Sequence, residues 1–239
     1  MRITGFKVLS FDCYGTLIDR DSGIWSALKP LLAGGHTGLS REEALAAFDR
    51  QEAALEASST ELPYSEILAQ AHRALAKEWA VLCSEDEHIR FGHSVPKWPA
   101  FADAPAALQY FGRYFEIVAL MNGDRHSLAD SARLLEARFD LICTAEEIGS
   151  YMPDQRGIRH VIGKLAKLGY LAGEILHVGA SPQRDLAPAA AAGLATAWID
   201  RRSAGGDTDK VALPEGVRFG LRFRSIAHLV KAHQEELRA

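Results

Sequence analysis

The pattern of apolar and polar positions changes character twice along the chain. Residues 6–11 (FKVLSF) are apolar at most positions, which predicts a short buried strand of a parallel sheet, and residues 13–19 then form a turn that contains Gly15. From about residue 23 to residue 95, apolar residues recur three and four positions apart, which predicts helices and no strands. In that region Ser40 followed by Glu43 marks the start of a helix, because the pair forms a capping box.

After Trp98 and Pro99 the pattern alternates between the two types of element. It predicts strands over residues 115–121, 140–144, 174–178 and 195–199, and helices over residues 103–112, 126–137, 154–168, 182–192 and 225–237. Residues 201–218 are rich in Gly, Asp and Pro, which indicates a surface loop. Helices between strands imply right-handed crossovers and a mostly parallel sheet with helices on both faces.

The sequence therefore predicts an α/β, Rossmann-like fold with an inserted helical cap. The core domain comprises residues 1–19 and 97–239, and the all-helical cap comprises residues 20–96.

Composition and charge narrow the class of protein. Apolar residues make up 48% of the chain, which is enough for a hydrophobic core, and the net charge of −4 argues against a nucleic-acid or membrane-surface partner. The odd, widely spaced set of Cys13, Cys83 and Cys143 indicates neither a disulfide framework nor a metal site. We expect a cytoplasmic protein, since neither a signal-peptide pattern nor a sufficiently long apolar run occurs.

Polar residues follow three of the predicted strands, where sheets of this type bind ligands. They are Asp12, Asn122, and the pair Ser181 and Asp185. The carboxylate of Asp12 is suited to act as a covalent nucleophile, and the backbone N–H groups from Cys13 onward can hold an anion beside it. On position alone, Asp12 could equally cap a turn or the next helix.

Four segments resemble, in order and spacing, the motifs of the haloacid dehalogenase superfamily. They are residues 11–17 (FDCYGTL), 120–123 (LMNG), 149–154 (GSYMPD) and 177–185 (HVGASPQRD). The helical insertion also lies where that superfamily carries its cap. The resemblance implies that Asp12 is the nucleophile.

Tyr14 makes the first motif similar to that of the 2-haloacid dehalogenase branch, because phosphatases of the superfamily usually carry a second Asp there. In that branch the Asp displaces halide from C2 of a short acid, and water activated near an acidic residue then hydrolyses the ester without a metal. The resemblance implies catalytic roles for Asp12, Asp185, Asn122 and Ser181, and substrate contacts from Cys13, Tyr14, Thr16, Met121 and Met152. Tyr14 could instead simply pack against the cap.

Three positions depart from the family pattern. Met152 stands where the family has a Lys, Met121 where it has Ser or Thr, and Ala180 where many members have an acidic residue. Without the Lys, a substrate anion would meet Asp12 in a poorly solvated site, and like charges there repel strongly. Arg125, Arg156 and Arg184 are candidates to replace the cation, with Arg125 first, although each also fits a solvated surface position.

A Mg²⁺ ion would find only Asp12, Asp185 and a backbone carbonyl, which is a thin ligand set. We therefore expect no cofactor, with at most weak Mg²⁺ binding at Asp12 and Asp185.

The leading hypothesis is a hydrolase that acts on a small anionic substrate of the 2-haloacid type through Asp12, with weak or altered activity. A different hypothesis is a catalytically degenerate family member that binds a small ligand or a protein in the same cleft. A Mg²⁺-dependent phosphatase comes third, because Tyr14, Met152 and Ala180 count against it. The apolar cap helices also allow a homodimer.

Overall fold

A parallel sheet forms the centre of the molecule. The computed structural model describes residues 1–35, 38–59, 61–201 and 220–239, except for the side chains of Arg125, His126 and Leu128. The strands are β1 (Val8–Asp12), β2 (Glu116–Met121), β3 (Leu141–Thr144), β4 (Ile175–Gly179), β5 (Ala195–Ile199) and β6 (Leu221–Phe223). They pair in parallel in the order β3-β2-β1-β4-β5-β6. The predicted α/β, Rossmann-like fold is confirmed.

Helices connect the strands. Between β1 and β2 lie α1 (Arg20–Gly34), α2 (Arg41–Ser58), α3 (Tyr64–Glu78), α4 (Glu85–Gly92) and α5 (Ala104–Phe111). Beyond β2 lie α6 (Arg125–Leu134), α7 (Ala145–Ile148), α8 (Gln155–Lys167), α9 (Ala187–Ala191) and α10 (Ile226–Arg238). The capping box of α2 is confirmed, since Ser40 and Glu43 exchange side-chain to backbone hydrogen bonds.

The helical insertion, residues 20–96, buries apolar side chains from several of its helices. Phe48 of α2, Leu68 and Leu75 of α3 and Phe91 of α4 are buried in an apolar cluster that continues to Phe11 of β1. Its first helix packs tightly on the start of the following segment, because a Cβ at Gly23 would lie 2.3 Å from the ring of Trp98. The division of the chain into a cap and a core domain stays a prediction.

Side chains of the sheet alternate between two apolar layers. Val8 of β1 and Leu120 of β2 pack with residues of α8, such as Val161. Their neighbours Leu9 and Phe11 face the other layer, which contains residues of α5 and α10. This alternation, with a period of two residues, decides which polar side chains can meet beyond the strand ends.

Some predicted boundaries and elements differ from the structure. The predicted helix over residues 182–192 begins as a π-helical turn (Pro182–Leu186) and continues as α9. The strand β6 was not predicted, because it has only three residues and none of them is fully buried. Of the predicted loop at 201–218, only residue 201 lies within the described residues. No helix in the described ranges is both long and apolar enough to cross a membrane.

Candidate active site

The strand order creates a crevice beside β1. The chain passes from β1 to β2 and β3 on one side, and β4 then pairs with β1 on the other side. At such a reversal the connections leave the sheet in opposite directions, so the carboxyl ends of the strands border an open crevice. Asp12 ends β1, Asn122 follows β2, and Ser181 and Asp185 follow β4.

Asp12 is buried at the centre of this edge. Its Oδ2 accepts a hydrogen bond of 2.6 Å from the hydroxyl of Thr16. The intervening turn reverses at Gly15, whose φ of 95° is unfavourable for a residue with a side chain. Burial and then the negative charge of Asp185 raise the pKa of Asp12 well above its usual value, while Thr16 and Arg184 act to lower it.

Asp185 is held by the π-helical turn that follows β4. Its Oδ2 accepts the Ser181 N–H at 2.8 Å, and the hydroxyl of Ser181 accepts the Arg184 N–H at 3.1 Å. Burial raises the pKa of Asp185 to about 6, although the hydrogen bond from Ser181 and the charge of Arg184 oppose that rise. The carboxyl group lies against Gly179, where a Cβ would come within 2.5 Å of the Asp185 Cβ.

Asn122 fixes the segment that contains Met152. Its Oδ1 accepts the Met152 N–H at 2.7 Å, and its Nδ2 donates to the Met152 carbonyl at 3.2 Å. The same Nδ2 lies 3.3 Å from Oε1 of Glu56, a residue of α2. The amide of Asn122 therefore joins the sheet, the third motif and the helical insertion.

A cleft of about 340 Å³ opens between the strand ends and the helical insertion. Six of the predicted site residues line it: Asp12, Tyr14, Asn122, Met152, Ser181 and Asp185. Tyr14 forms part of the wall, since its ring stacks on Tyr64 at 5.7 Å between centroids and meets Trp98 edge-on at 5.2 Å.

Three predicted residues do not line the cleft. The hydroxyl of Thr16 donates a hydrogen bond to Asp12, but Thr16 does not line the cleft. The side chains of Cys13 and Met121 are buried among apolar residues. The physical reason is strand alternation, because each of these two side chains points to the face opposite that of its neighbour, Asp12 or Asn122. The side chains of Cys13 and Met121 therefore do not face the cleft, whereas a contact from the backbone N–H of Cys13 to a substrate anion stays a prediction.

Arg184 is one of three arginines that line the cleft in the described ranges, and it follows the same strand as Asp185. Its guanidinium lies on the cleft, and its side chain is only 32% exposed, so the alternative of a solvated surface residue is wrong for this arginine. Nη1 donates to Oε2 of Glu52 at 3.1 Å, and Nη2 donates to both carboxylate oxygens of Glu56 at 3.0 and 3.1 Å. Its charge lowers the pKa values of Asp12 and Asp185.

Both glutamates belong to α2 and were not predicted. Glu52 also accepts from Arg20 at 2.6 Å and from the hydroxyl of Tyr64 at 2.7 Å. Burial favours the neutral form of Glu52, but the charges of Arg20 and Arg184 outweigh it and lower its pKa to about 2. Burial raises the pKa of Glu56 to about 7, against the effect of Arg184 and with a further rise from the charge of Glu52.

The other candidate cations lie in different surroundings. Arg156 pairs with Asp154 at 3.0 Å, and its side chain is 56% exposed. The side chain of Arg125 lies outside the described residues. Arg201 lines the cleft but is bound to Asp103 and to the carbonyl oxygen of Thr16.

A Mg²⁺ ion fits the donor set poorly. Over the described ranges, no group of three or more His, Cys, Asp or Glu side chains is arranged to hold a metal ion. Asp12 and Asp185 each already have one carboxylate oxygen in a hydrogen bond. Since Mg²⁺ demands near-octahedral oxygen ligation, these two carboxylates would supply only a minority of its ligands, and weak Mg²⁺ binding at Asp12 and Asp185 stays a prediction.

Sequence comparison points to one family. The family described as haloacid dehalogenase-like hydrolase matches residues 6–193 of the chain. The match extends from the segment before β1 to the end of α9, so it includes every residue of the candidate site named above except Arg201. No curated protein sequence matches the chain.

Several solved structures resemble the whole chain. An L-2-haloacid dehalogenase is similar with a TM-score of 0.76 over 98% of this chain and 100% of its own, at 21% identity. The L-2-haloacid dehalogenase of Xanthobacter autotrophicus with chloropropionic acid covalently bound is similar with a TM-score of 0.74 over 96% and 98%, at 14% identity. A Bacillus subtilis haloacid dehalogenase-type hydrolase bound to magnesium is similar with a TM-score of 0.75 over 98% and 100%, at 18% identity. At these identities the similarity concerns the fold.

Proposed function

Because this chain belongs to the haloacid dehalogenase-like hydrolase family, we propose that it hydrolyses a small anionic substrate of the 2-haloacid type with Asp12 as the nucleophile. One observation carries the proposal. The buried carboxylate of Asp12 and the guanidinium of Arg184 line the same cleft, and the charge of Arg184 lowers the pKa of Asp12. This arrangement supports the proposal, because it places a candidate nucleophile and a cation for a substrate anion in one cleft without the family's Lys.

The reaction proceeds in two displacements. An oxygen of the ionised Asp12 carboxylate attacks C2 of the acid, a C–O bond forms, and the carbon–halogen bond breaks with release of halide. Water then attacks the resulting ester at the Asp12 carbonyl, which regenerates the carboxylate and releases the 2-hydroxy acid and a proton. Asp185, whose pKa is raised to about 6, is the group in the cleft best suited to accept that proton.

Arg184 takes the electrostatic role of the missing Lys in this proposal. The Lys position is occupied by Met152, whose side chain packs with the apolar residues around α8. Arg184 comes instead from the turn after β4 and lies next to Asp185 in sequence. Its positive charge offsets the repulsion between Asp12 and the substrate anion and stabilises the charge that moves to the halide.

Two observations support the substrate class: the fold shared with a 2-haloacid dehalogenase, and Tyr14 at a position where phosphatases carry a carboxyl group. The Xanthobacter autotrophicus enzyme is an L-2-haloacid dehalogenase with chloropropionic acid covalently bound, and it shares this fold. Tyr14 occupies the position two residues after Asp12, so the cleft lacks there the carboxyl group that would protonate a phosphate ester's leaving group.

The test measures product release and the covalent intermediate. The protein is incubated with 2-chloropropionate and, separately, with p-nitrophenyl phosphate, each with and without Mg²⁺, beside the Asp12→Asn variant. Chloride release that needs no Mg²⁺ and disappears in Asp12→Asn supports the proposal. In the parent protein, the peptide that contains Asp12 should also carry the added mass of the ester intermediate. Mg²⁺-dependent phosphate release would replace it with a phosphatase, and silence with both substrates would favour a ligand-binding role.

A further inference from the structure

Two donors from the core converge on one carboxylate of the helical insertion. Arg184 donates from Nη2 to both oxygens of Glu56, at 3.0 and 3.1 Å, and Asn122 donates from Nδ2 to Oε1 at 3.3 Å. Arg184 follows β4 and Asn122 follows β2, whereas Glu56 lies near the end of α2. A guanidinium and an amide that meet on one carboxylate are the groups with which proteins recognise carboxylic acids.

The contact with Glu56 can be exchanged without releasing the rest of Arg184. Glu52 binds the other terminal nitrogen, Nη1, at 3.1 Å, so it can continue to orient the guanidinium when Nη2 changes its partner. Both donor residues, Arg184 and Asn122, line the cleft that contains Asp12. A second carboxylate in the cleft therefore competes with Glu56 for donors that already lie on the cleft surface.

We infer that Arg184 and Asn122 form the subsite for the substrate's carboxylate, and that Glu56 occupies this subsite as an internal ligand until a substrate displaces it. The inference rests on the proposed function and names its substrate class, short carboxylic acids. Occupation by Glu56 lowers the apparent affinity, because only the fraction of molecules with the subsite vacant binds the acid.

Charge balance favours a carboxylate over a phosphate. Each of the three arginines that line the cleft in the described ranges pairs with protein carboxylates: Arg20 with Asp21, Asp49 and Glu52, Arg184 with Glu52 and Glu56, and Arg201 with Asp103. A monoanion that replaces Glu56 on Arg184 keeps the number of ion pairs and the net charge unchanged when the displaced Glu56 takes up a proton, which its pKa of about 7 allows. A phosphate dianion would bring a second negative charge close to Asp12 and Asp185, where it is repelled.

The experiment measures the binding of propionate, an unreactive short acid, by titration calorimetry. Glu56→Gln removes the competing charge and should tighten the dissociation constant for propionate at least about tenfold, as expected when an occupied fraction is vacated. Asp49→Asn is the matched control, since it removes one carboxylate from the same helix and the same cleft without contact to Arg184. Asp49 is 57% exposed, so this control should change the affinity by less than about threefold.

Further variants keep the inference falsifiable. Arg184→Gln added to Glu56→Gln should abolish the gain, and Glu56→Ala repeats the test if Glu56→Gln unfolds more readily than the parent. Unchanged or weaker propionate binding in folded Glu56 variants would overturn the inference, as would an equal gain in Asp49→Asn. A gain for inorganic phosphate but not for propionate would refute the assignment to carboxylic acids.

The inference and the proposed function fail in different assays. Tighter propionate binding in Glu56→Gln without chloride release from 2-chloropropionate would support the carboxylate subsite and contradict the proposed hydrolase activity. Chloride release with the same propionate affinity in the parent and in Glu56→Gln would support the hydrolase activity and contradict the assignment of the subsite.

Discussion

The charge of Asp12 controls the proposed reaction, because only the carboxylate attacks. Burial and Asp185 raise the pKa of Asp12, so kcat/KM should fall as the pH decreases through a value well above that of an ordinary aspartate. Asp185→Asn removes the neighbouring negative charge and keeps an acceptor for the Ser181 N–H. In that variant the acidic limb of the pH–rate profile should move to lower pH, whatever happens to the maximal rate. A limb that stays in place would show that Asp12 and Asp185 do not interact.

The electrostatic role of Arg184 can be tested by removing its positive charge and then introducing one at position 152. Arg184→Gln should lower the rate of chloride release about 10²–10³-fold, the usual effect of losing one preorganised charge-stabilising donor. Met152→Lys on that background restores a cation at the cleft, with a similar unbranched stem, and should recover at least about tenfold of the loss. Met152→Leu is the uncharged control, and Asp12→Asn should abolish the recovery. Recovery in the leucine variant would mean that packing rather than charge limits the reaction.

At the scale of elements, the alternation of side chains along a strand determines which of the predicted residues line the cleft. The pattern of the sequence was sufficient to predict strands β1 to β5 and the polar residues that follow three of them, since Asp12, Asn122 and Asp185 meet on one cleft. The same two-residue alternation, applied to the neighbours of Asp12 and Asn122, would have predicted that the side chains of Cys13 and Met121 point toward the apolar layer. Arg184 and its partners could not be paired from the sequence, because Glu52 and Glu56 lie 132 and 128 residues away and reach it only through the packing of α2.

The turn after β4 depends on a close approach that only glycine permits. A Cβ at Gly179 would lie 2.5 Å from the Cβ of Asp185, so Gly179→Ala should displace Asp185 and lower the free energy of unfolding by about 1–3 kcal/mol. Gly163, inside α8, has nothing within 4 Å of an added Cβ. Gly163→Ala should therefore raise the free energy of unfolding, by about 0.5–1 kcal/mol. Urea unfolding of both variants measures the contrast, and equal effects of the two would contradict the packing argument.

For the whole molecule, ionisable groups buried at the sheet should make stability depend on pH in opposite directions. The raised pKa values of Asp12 and Asp185 mean that these groups take up protons more readily in the folded state, so their contribution to stability increases as the pH falls. His177 has the opposite effect. It is fully buried in β4, its Nδ1 lies 3.2 Å from the hydroxyl of Ser10, and burial lowers its pKa to about 4.

Between pH 6.5, the unfolded-state pKa of His177, and about pH 4, the imidazole is protonated in the unfolded chain but neutral in the folded protein. Stability is therefore lost as the pH falls from about 6.5 toward 4, and the shift corresponds to about 3 kcal/mol at the lower end. His177→Asn keeps a polar atom near Ser10 but does not titrate, and the aspartates are common to both proteins. Urea unfolding near pH 7 and near pH 4 should show a smaller loss of stability in His177→Asn, by about 3 kcal/mol, than in the parent. Equal losses in the two proteins would mean that His177 takes up its proton in the folded state, contrary to the effect expected from its complete burial.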